Sequence, residues 1–236
     1  MSFKFKQFSI CDDQCGMKVG VDGVLLGAWT DFSNSQYILD IGTGSGLLML
    51  IAAQQNKNAI ISGIDLNLNA INQAQENINK SDFKNEFQLI NQDFIKWDSP
   101  TLFDTLICNP PFFPGINEEI NIDRQQARFS IFLPLDNLML KANKISTTNA
   151  TFNLIYPTQF LNELTEAGIN NNWSVKRITT IKGNPQVISK RSMISFKKLV
   201  PNLINEIIND EITIEESRHQ FTDEYKELTK PYYLKF

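Results

Sequence analysis

Histidine is almost missing from this sequence: His219 is the only one in 236 residues. Serine- and cysteine-nucleophile triads and catalytic zinc sites lean on imidazole, so both classes are disfavoured. His219 itself lies in the polar stretch Glu215 to His219, which reads as solvated surface. Cysteine is scarce as well: Cys11, Cys15 and Cys108 are too few for a disulfide framework, and no second pair completes a zinc site. No metal is expected. No apolar run reaches the length of a membrane span, and the opening Met1 to Lys6 has no apolar core of a secretion signal, so a cytoplasmic protein is expected. Bases are outnumbered by acids, 22 to 26, giving a net charge of −4. That excludes a generally basic nucleic-acid binder and requires any such surface to be local. Without a repeat or a low-complexity linker, residues 1–236 read as a single domain with an N-terminal arm over about the first 35 residues.

What is present is a regular alternation. Strands are expected over Tyr37 to Ile41, Ala59 to Ile64, Phe87 to Ile90, Thr105 to Cys108 and Thr151 to Tyr156. Helical patterns stand between them: Ser45 to Gln55, then Ala70, Ala74 and Ile78 with Asn67 or Asn69 as the cap, then Leu135 to Ala142. A further helix is expected over Thr158 to Ala167, presenting Phe160, Leu161 and Leu164. Such alternation signals a parallel sheet. The runs Val175 to Ile181 and Val187 to Phe196, joined through Gly183-Asn184-Pro185, suit an antiparallel hairpin. The expectation is an α/β, doubly wound, Rossmann-like sheet of seven strands, mostly parallel, with that hairpin near its C-terminus. Ahead of it, Asp22 precedes the short apolar helix Gly23 to Trp29 and is read as its N-cap or as a ligand contact. The aromatic ending, Tyr225, Tyr232, Tyr233 and Phe236, is expected to pack back on the body.

Two stretches carry chemistry. In Asp40-Ile41-Gly42-Thr43-Gly44-Ser45-Gly46, a strand runs into a glycine loop and a helix, which lets a ligand lie against main-chain atoms. Asp65 follows the next strand at the spacing of a ribose-binding acid. A dinucleotide would bring a pyrophosphate to this loop, and the carboxylate of Asp40 would repel it. S-adenosylmethionine instead brings a sulfonium and an ammonium, which a carboxylate attracts. The loop therefore favours the methyl donor over NAD.

The second stretch is Asn109-Pro110-Pro111-Phe112, at the carboxyl end of the strand expected beside the glycine-loop strand. The prolines hold the backbone extended and remove two N–H donors, so carbonyls here face outward as acceptors. The side-chain oxygen of Asn109 and the carbonyl of Pro110 can receive both protons of an exocyclic NH₂ group, turning the nitrogen lone pair toward a methyl carbon. Phe112 supplies a stacking face for a flat base. Positioning supplies most of the rate enhancement, without a strong base. Cys108 belongs to the strand and reads as core.

These motifs resemble the class I S-adenosylmethionine-dependent methyltransferases of the amino-methylating group. The flanking runs Phe3 to Phe8, Met17 to Trp29, Arg124 to Arg128 and Tyr225 to Leu234 are similar to those of the bacterial tRNA(Val) adenine-N6 methyltransferase family, over nearly the whole chain. The resemblance implies N6-methylation of adenosine 37 in that tRNA. It implies that Asp40 and the backbone of Gly42, Thr43, Gly44 and Gly46 hold the methionine end of the cofactor, with Lys18, Asp22 and Asn109 adjoining. Asp65 would take the ribose hydroxyls, Leu66 would border the adenine, and Asp93 would accept from its amino group beside Phe94. Asp93 also reads as a plain turn residue after its strand. Asn109, Pro110, Pro111 and Phe112 would carry catalysis, Phe112 standing where the family usually has Tyr. For RNA, the local bases are Arg124 and Arg128, on one face if that stretch is helical, with Lys182, Lys190, Arg191, Lys197 and Lys198 around the hairpin. Amino-methylation of another RNA or DNA adenine or of a protein glutamine, and a non-catalytic RNA-binding module of the same fold, are the alternatives.

Overall fold

The structure is a computed structural model and describes residues 2–110, 134–200 and 206–235. The chain opens with the hairpin β1 (Ser2–Lys4) and β2 (Ser9–Cys11), then helix α1 (Val21–Trp29). Strand and helix then alternate: β3 (Tyr37–Ile41), α2 (Leu47–Gln55), β4 (Ile60–Asp65), α3 (Leu68–Lys80), β5 (Glu86–Asn91) and β6 (Phe103–Cys108). After the region outside description come α4 (Leu135–Lys144), β7 (Ser146–Pro157) and, after one 3-10 turn over Thr158–Phe160, α5 (Leu161–Asn170). Then follow β8 (Trp173–Lys182), β9 (Arg191–Lys198), β10 (Ile208–Thr213), the short pair β11 (Glu215–Ser217) and β12 (Gln220–Phe221), and α6 (Asp223–Thr229).

The main sheet runs β10-β8-β9-β7-β6-β3-β4-β5. β5, β4, β3, β6 and β7 pair in parallel, and β9 is antiparallel to both β7 and β8. This is the expected doubly wound arrangement with its hairpin, and β10 adds an eighth strand parallel to β8. β10 escaped the sequence reading because, of its residues, only Ile212 is buried, so an edge strand rich in Asn, Asp and Glu shows no apolar pattern. β9 starts at Arg191 rather than Val187, since Val187 to Lys190 belong to the connection.

Strands covered on both faces read as apolar runs, and here each face has its own core. Ile38, Ile61 and Ile107 pack with α1 and α2 on one side, while Leu39, Ile41, Leu106 and Cys108 pack with α4 and α5 on the other. α2 is buried from Leu47 through Ala53 and is apolar all round, as an enclosed helix must be. α3 is amphipathic, and Asn67 caps it by accepting from the Asn69 N–H at 2.9 Å. The aromatic C-terminus does fold back: Tyr225 and Tyr232 are buried, and the Lys6 N–H donates to the Tyr232 carbonyl at 2.8 Å. Among the described residues, no helix is long and apolar enough to cross a membrane.

One local expectation fails. Asp22 does not cap α1: Gly20 occupies that position without a side-chain bond, and Asp22 lies inside the first turn. Its carboxylate is drawn instead to the Arg191 guanidinium, 2.5 Å away on β9.

Candidate active site

The register of the sheet builds the site. Ile90, Ile64, Ile41, Cys108 and Leu154 form one row across β5, β4, β3, β6 and β7. The next residues on the first four strands are Asn91, Asp65, Gly42 and Asn109. The carboxyl ends of neighbouring strands thus bring the acid, the glycine loop and the amide side by side, with adjacent strands about 4.8 Å apart. By strand alternation Asp40, Gly42 and Asn109 share the face covered by α1 and α2.

The loop between β3 and α2 turns on left-handed backbone at Gly42, Gly44 and Gly46, with φ of 72°, 54° and 79°. At Gly46 a Cβ would stand 3.2 Å from that of Ala74, so glycine also lets α3 close on the loop. The N–H groups of Gly42 and Thr43 donate to the Ile64 carbonyl at 2.8 and 3.0 Å, which ties the loop to β4. Asp65 accepts from the Gly44 N–H at 3.0 Å with one oxygen and from the Asn67 N–H at 2.9 Å with the other. Asp40 is fully buried and accepts from the Thr43 hydroxyl at 2.7 Å. Burial pushes its carboxyl up to about 7, against the opposing pull of the Thr43 bond. Cys108, buried beside these acids, has its thiol pushed upward and is inert core, as expected.

Asn109 meets α1. A Cβ on Gly23 would stand 3.5 Å from the Asn109 side-chain nitrogen and 2.9 Å from Leu47 Cδ2, so only glycine lets the helix lie this close. Among the described residues, Asn109 Oδ1, Asp40 Oδ1 and Asp22 Oδ1 are buried and receive no hydrogen bond. An unmet buried acceptor costs about 1–3 kcal/mol. Asp40 and Asn109 belong to adjacent strands, β3 and β6, and Asp22 precedes the Gly23 that Asn109 meets, so these oxygens are acceptors that a ligand carrying N–H donors or positive charge can satisfy.

The other expected residues divide. Leu66 is 74 % exposed beside Asp65, open to a flat ligand. Asp93 makes the turn: its Oδ1 accepts from the Ile95 N–H at 2.9 Å, and its other oxygen lies 3.8 Å from Lys96. Phe94 is a core residue, packed with Leu39 and Ile64 rather than open to an adenine. Lys18 donates to the Asp12 carbonyl at 2.6 Å on a loop facing Asp65, whose charge helps raise the Cys15 thiol to about 11, after burial. Pro110 is buried at the end of β6, while Pro111, Phe112, Arg124 and Arg128 lie outside the described residues.

Three of the bases expected to face RNA already have partners within the chain. Lys198 donates to the carbonyls of Asn143 and Ser146 at 2.7 and 2.8 Å, and burial lowers its pKa. It is a cap on the end of α4, not a free cation. Arg191 gives its guanidinium to Asp22, and Lys182 pairs with Glu211 at 2.9 Å. Since β9 runs antiparallel, Lys197 opposite Thr151 sits at the far edge of the sheet from Asn109. Lys190 is exposed and lies at the near edge, its carbonyl taking the Thr158 N–H at 3.0 Å.

Sequence reasoning passed over Asn91, whose amide donates to the carbonyls of Asp65 and Leu66, both at 3.0 Å, and so fixes the turn after β4. Its place at the end of β5 was the available signal. Gly23 was passed over too, since a glycine near a helix start looks like ordinary punctuation.

Residues 23–127 match the family model described as the methyltransferase small domain. A tRNA1(Val) (adenine(37)-N6)-methyltransferase of Bacteroides thetaiotaomicron is 36 % identical over 234 residues, covering 98 % of this chain and 97 % of the relative. The protein of the same name from Christiangramia forsetii is 38 % identical over 238 residues, covering 99 % and 98 %. Among solved structures, a predicted O-methyltransferase from Agrobacterium tumefaciens superposes with a TM-score of 0.69 at 17 % identity, over 89 % of this chain and 96 % of that one. A magnesium protoporphyrin IX methyltransferase from Synechocystis, with bound SAM, superposes with a TM-score of 0.51 at 14 % identity, over 75 % and 76 %.

Proposed function

This chain belongs to the family of tRNA1(Val) (adenine(37)-N6)-methyltransferases, and from that membership we propose that its site methylates the exocyclic N6 of adenosine 37 in tRNA1(Val). The cofactor is S-adenosylmethionine, whose sulfonium supplies an electrophilic methyl group. The observation that carries the reading is Asn109 Oδ1: a buried acceptor without a donor among the described residues, at the end of the strand beside the glycine loop.

Asp40 and the glycine loop hold the positive methionine end, and Asp22 adds a second acidic oxygen. Asp65 and Leu66 receive the ribose and adenine, with Asn91 fixing the turn that presents them. Asn109 Oδ1 and the Pro110 carbonyl accept the two N6 protons of the target. With both protons held, the nitrogen lone pair would be drawn out of the ring system and left free to face the methyl carbon of a bound cofactor. Transfer would leave a cationic N6, acidic enough to lose its extra proton to water, so no strong base is required. Lys190 is the described base best placed for a phosphate near the target. The proposal places the enzyme in the cytoplasm with its tRNA.

A methyl-transfer assay with labelled S-adenosylmethionine tests this. Unmodified tRNA1(Val) should accept label, while DNA oligonucleotides and glutamine peptides should not. Mapping should then put N6-methyladenosine at position 37. Label on a peptide, or at another adenosine, would overturn the substrate assignment.

A further inference from the structure

We infer that Arg191 is a positioning residue for methyl transfer, acting through Asp22 and the first turn of α1 on the amide of Asn109, and is not an RNA contact. The inference rests on the methyltransferase reading. α1 starts at Val21 after the N-cap Gly20, which has no capping side chain, so its own sequence does little to fix where it begins. Two bonds to the sheet do this instead. At its amino end Asp22 meets Arg191 at 2.5 Å, and at its carboxyl end the Trp29 indole N–H donates to the Thr179 hydroxyl at 2.9 Å. The Asp22 side chain is only 15 % exposed, and burial outweighs the guanidinium in setting its net upward pKa shift. A carboxylate that deep, left without its cation, would move toward water or take up a proton. Either response releases the first turn of α1.

The next residue in that turn is Gly23, and the nitrogen end of the Asn109 amide lies against it. With that end against the helix, the oxygen end is the one left to receive the target amine. Releasing the turn therefore loosens the amide that must hold two N–H groups in line, and misplacement of about 1 Å can cost a hundredfold in rate. Arg191 spends its charge on this pair, and its position at the start of β9 puts it at the same edge as Asn109.

The test uses Arg191→Gln, Arg191→Lys, Asp22→Asn and the Asp22→Asn/Arg191→Gln double variant of the full chain. For each, kcat and KM for tRNA, equilibrium tRNA affinity across salt, S-adenosylhomocysteine affinity and thermal unfolding are measured. Arg191→Gln should lower kcat about tenfold or more, with tRNA affinity and its salt slope within about twofold of the parent. Arg191→Lys should recover most of the lost kcat, and the double variant should be no worse than the poorer single one. A fall in tRNA affinity with kcat unchanged, or losses that multiply in the double variant, would overturn the inference. Should Arg191→Gln fail to fold, Gly23→Ala decides: its added methyl pushes α1 off Leu47 and Asn109, so kcat should fall with tRNA affinity intact. An unchanged kcat there would overturn the inference. Turnover of the parent protein on tRNA tests the methyltransferase reading separately.

Discussion

At the amino ends of the central strands, a polar cleft of about 360 Å³ is lined by Asp104, Thr105, Ser35, Asn153 and Arg177 among others. Several of these groups already have partners in or beside the cleft. Asp104 Oδ2 takes the N–H groups of Gln36 and Tyr37, Ser35 and Thr105 share a 2.7 Å hydroxyl bond, and Arg177 pairs with Asp210. Toward the carboxyl ends of the same strands, one oxygen each of Asp22 on α1, Asp40 and Asn109 is buried and unanswered among the described residues. Gln54, Asn85 and Asp104 each leave one buried oxygen over as well, so unanswered acceptors are not confined to one edge. Cavity size alone does not single out the working edge. What does is the setting of the acceptors: Asp40 and Asn109 stand on adjacent strands beside the glycine loop, at the carboxyl ends where an open α/β sheet takes its ligand.

Removing one of those oxygens should give the largest effect. Asn109→Ala should lower turnover about a thousandfold or more, since the target amine loses the acceptor that orients it. S-adenosylhomocysteine affinity, read by calorimetry, should stay within about threefold of the parent. Substantial methylation by this variant would dissolve the contrast between the two edges.

Asp40 comes next. Its carboxyl is raised from 3.8 to about 7 by burial, so the folded protein holds a proton that the unfolded chain has lost between those values. Stability from this group is present below pH about 4 and is lost as pH rises through about 7. A bound cation reverses the preference and expels the proton, so cofactor affinity should rise with pH over about 5.5 to 7. Asp40→Asn should weaken cofactor binding about tenfold or more and flatten both dependences, measured by calorimetry and thermal unfolding across that range. An affinity that is level with pH in the parent would separate Asp40 from the ligand. At the other edge, Asp104→Ala should act only on stability. Losing the acceptor of two backbone N–H groups should cost about 1–3 kcal/mol in a denaturant titration, with kcat unchanged.

How much of this the sequence disclosed follows from how local each feature is. The glycine loop, Asp65 and Asn109 stand at strand ends that periodicity and spacing mark directly, so their meeting was foreseeable once the strands were. The cap at Asn67 was equally local. Partners distant in sequence were not: Asp22 looked like a cap because Arg191 lies 169 residues away, and Lys198 looked like a free cation because its acceptors belong to α4 and the start of β7. β10 was invisible for a different reason, being an edge strand with polar residues on most of its length. Phe94 shows the limit from the other side, since an aromatic after a strand reads equally well as a lining or a core residue until its packing with Leu39 and Ile64 is seen.

The smallest expected effects belong to charge, and they sharpen the contrast between edges with the substrate itself. Lys190 precedes β9 beside Arg191 at the working edge, and Lys197 lies near the other end of β9, opposite Thr151. A strand of that length spans about 20–25 Å, comparable to several Debye lengths at physiological salt. An anticodon loop whose base reaches Asn109 brings phosphates near Lys190 first. Lys190→Glu should therefore weaken tRNA binding severalfold and reduce its salt slope by about one, while Lys197→Glu should change affinity less than about twofold. Cofactor affinity should not move in either variant. Equal losses from both lysines would mean that the RNA wraps past β9 to the far edge, and the division of labour between the two ends of the sheet would then hold for the chemistry but not for substrate binding.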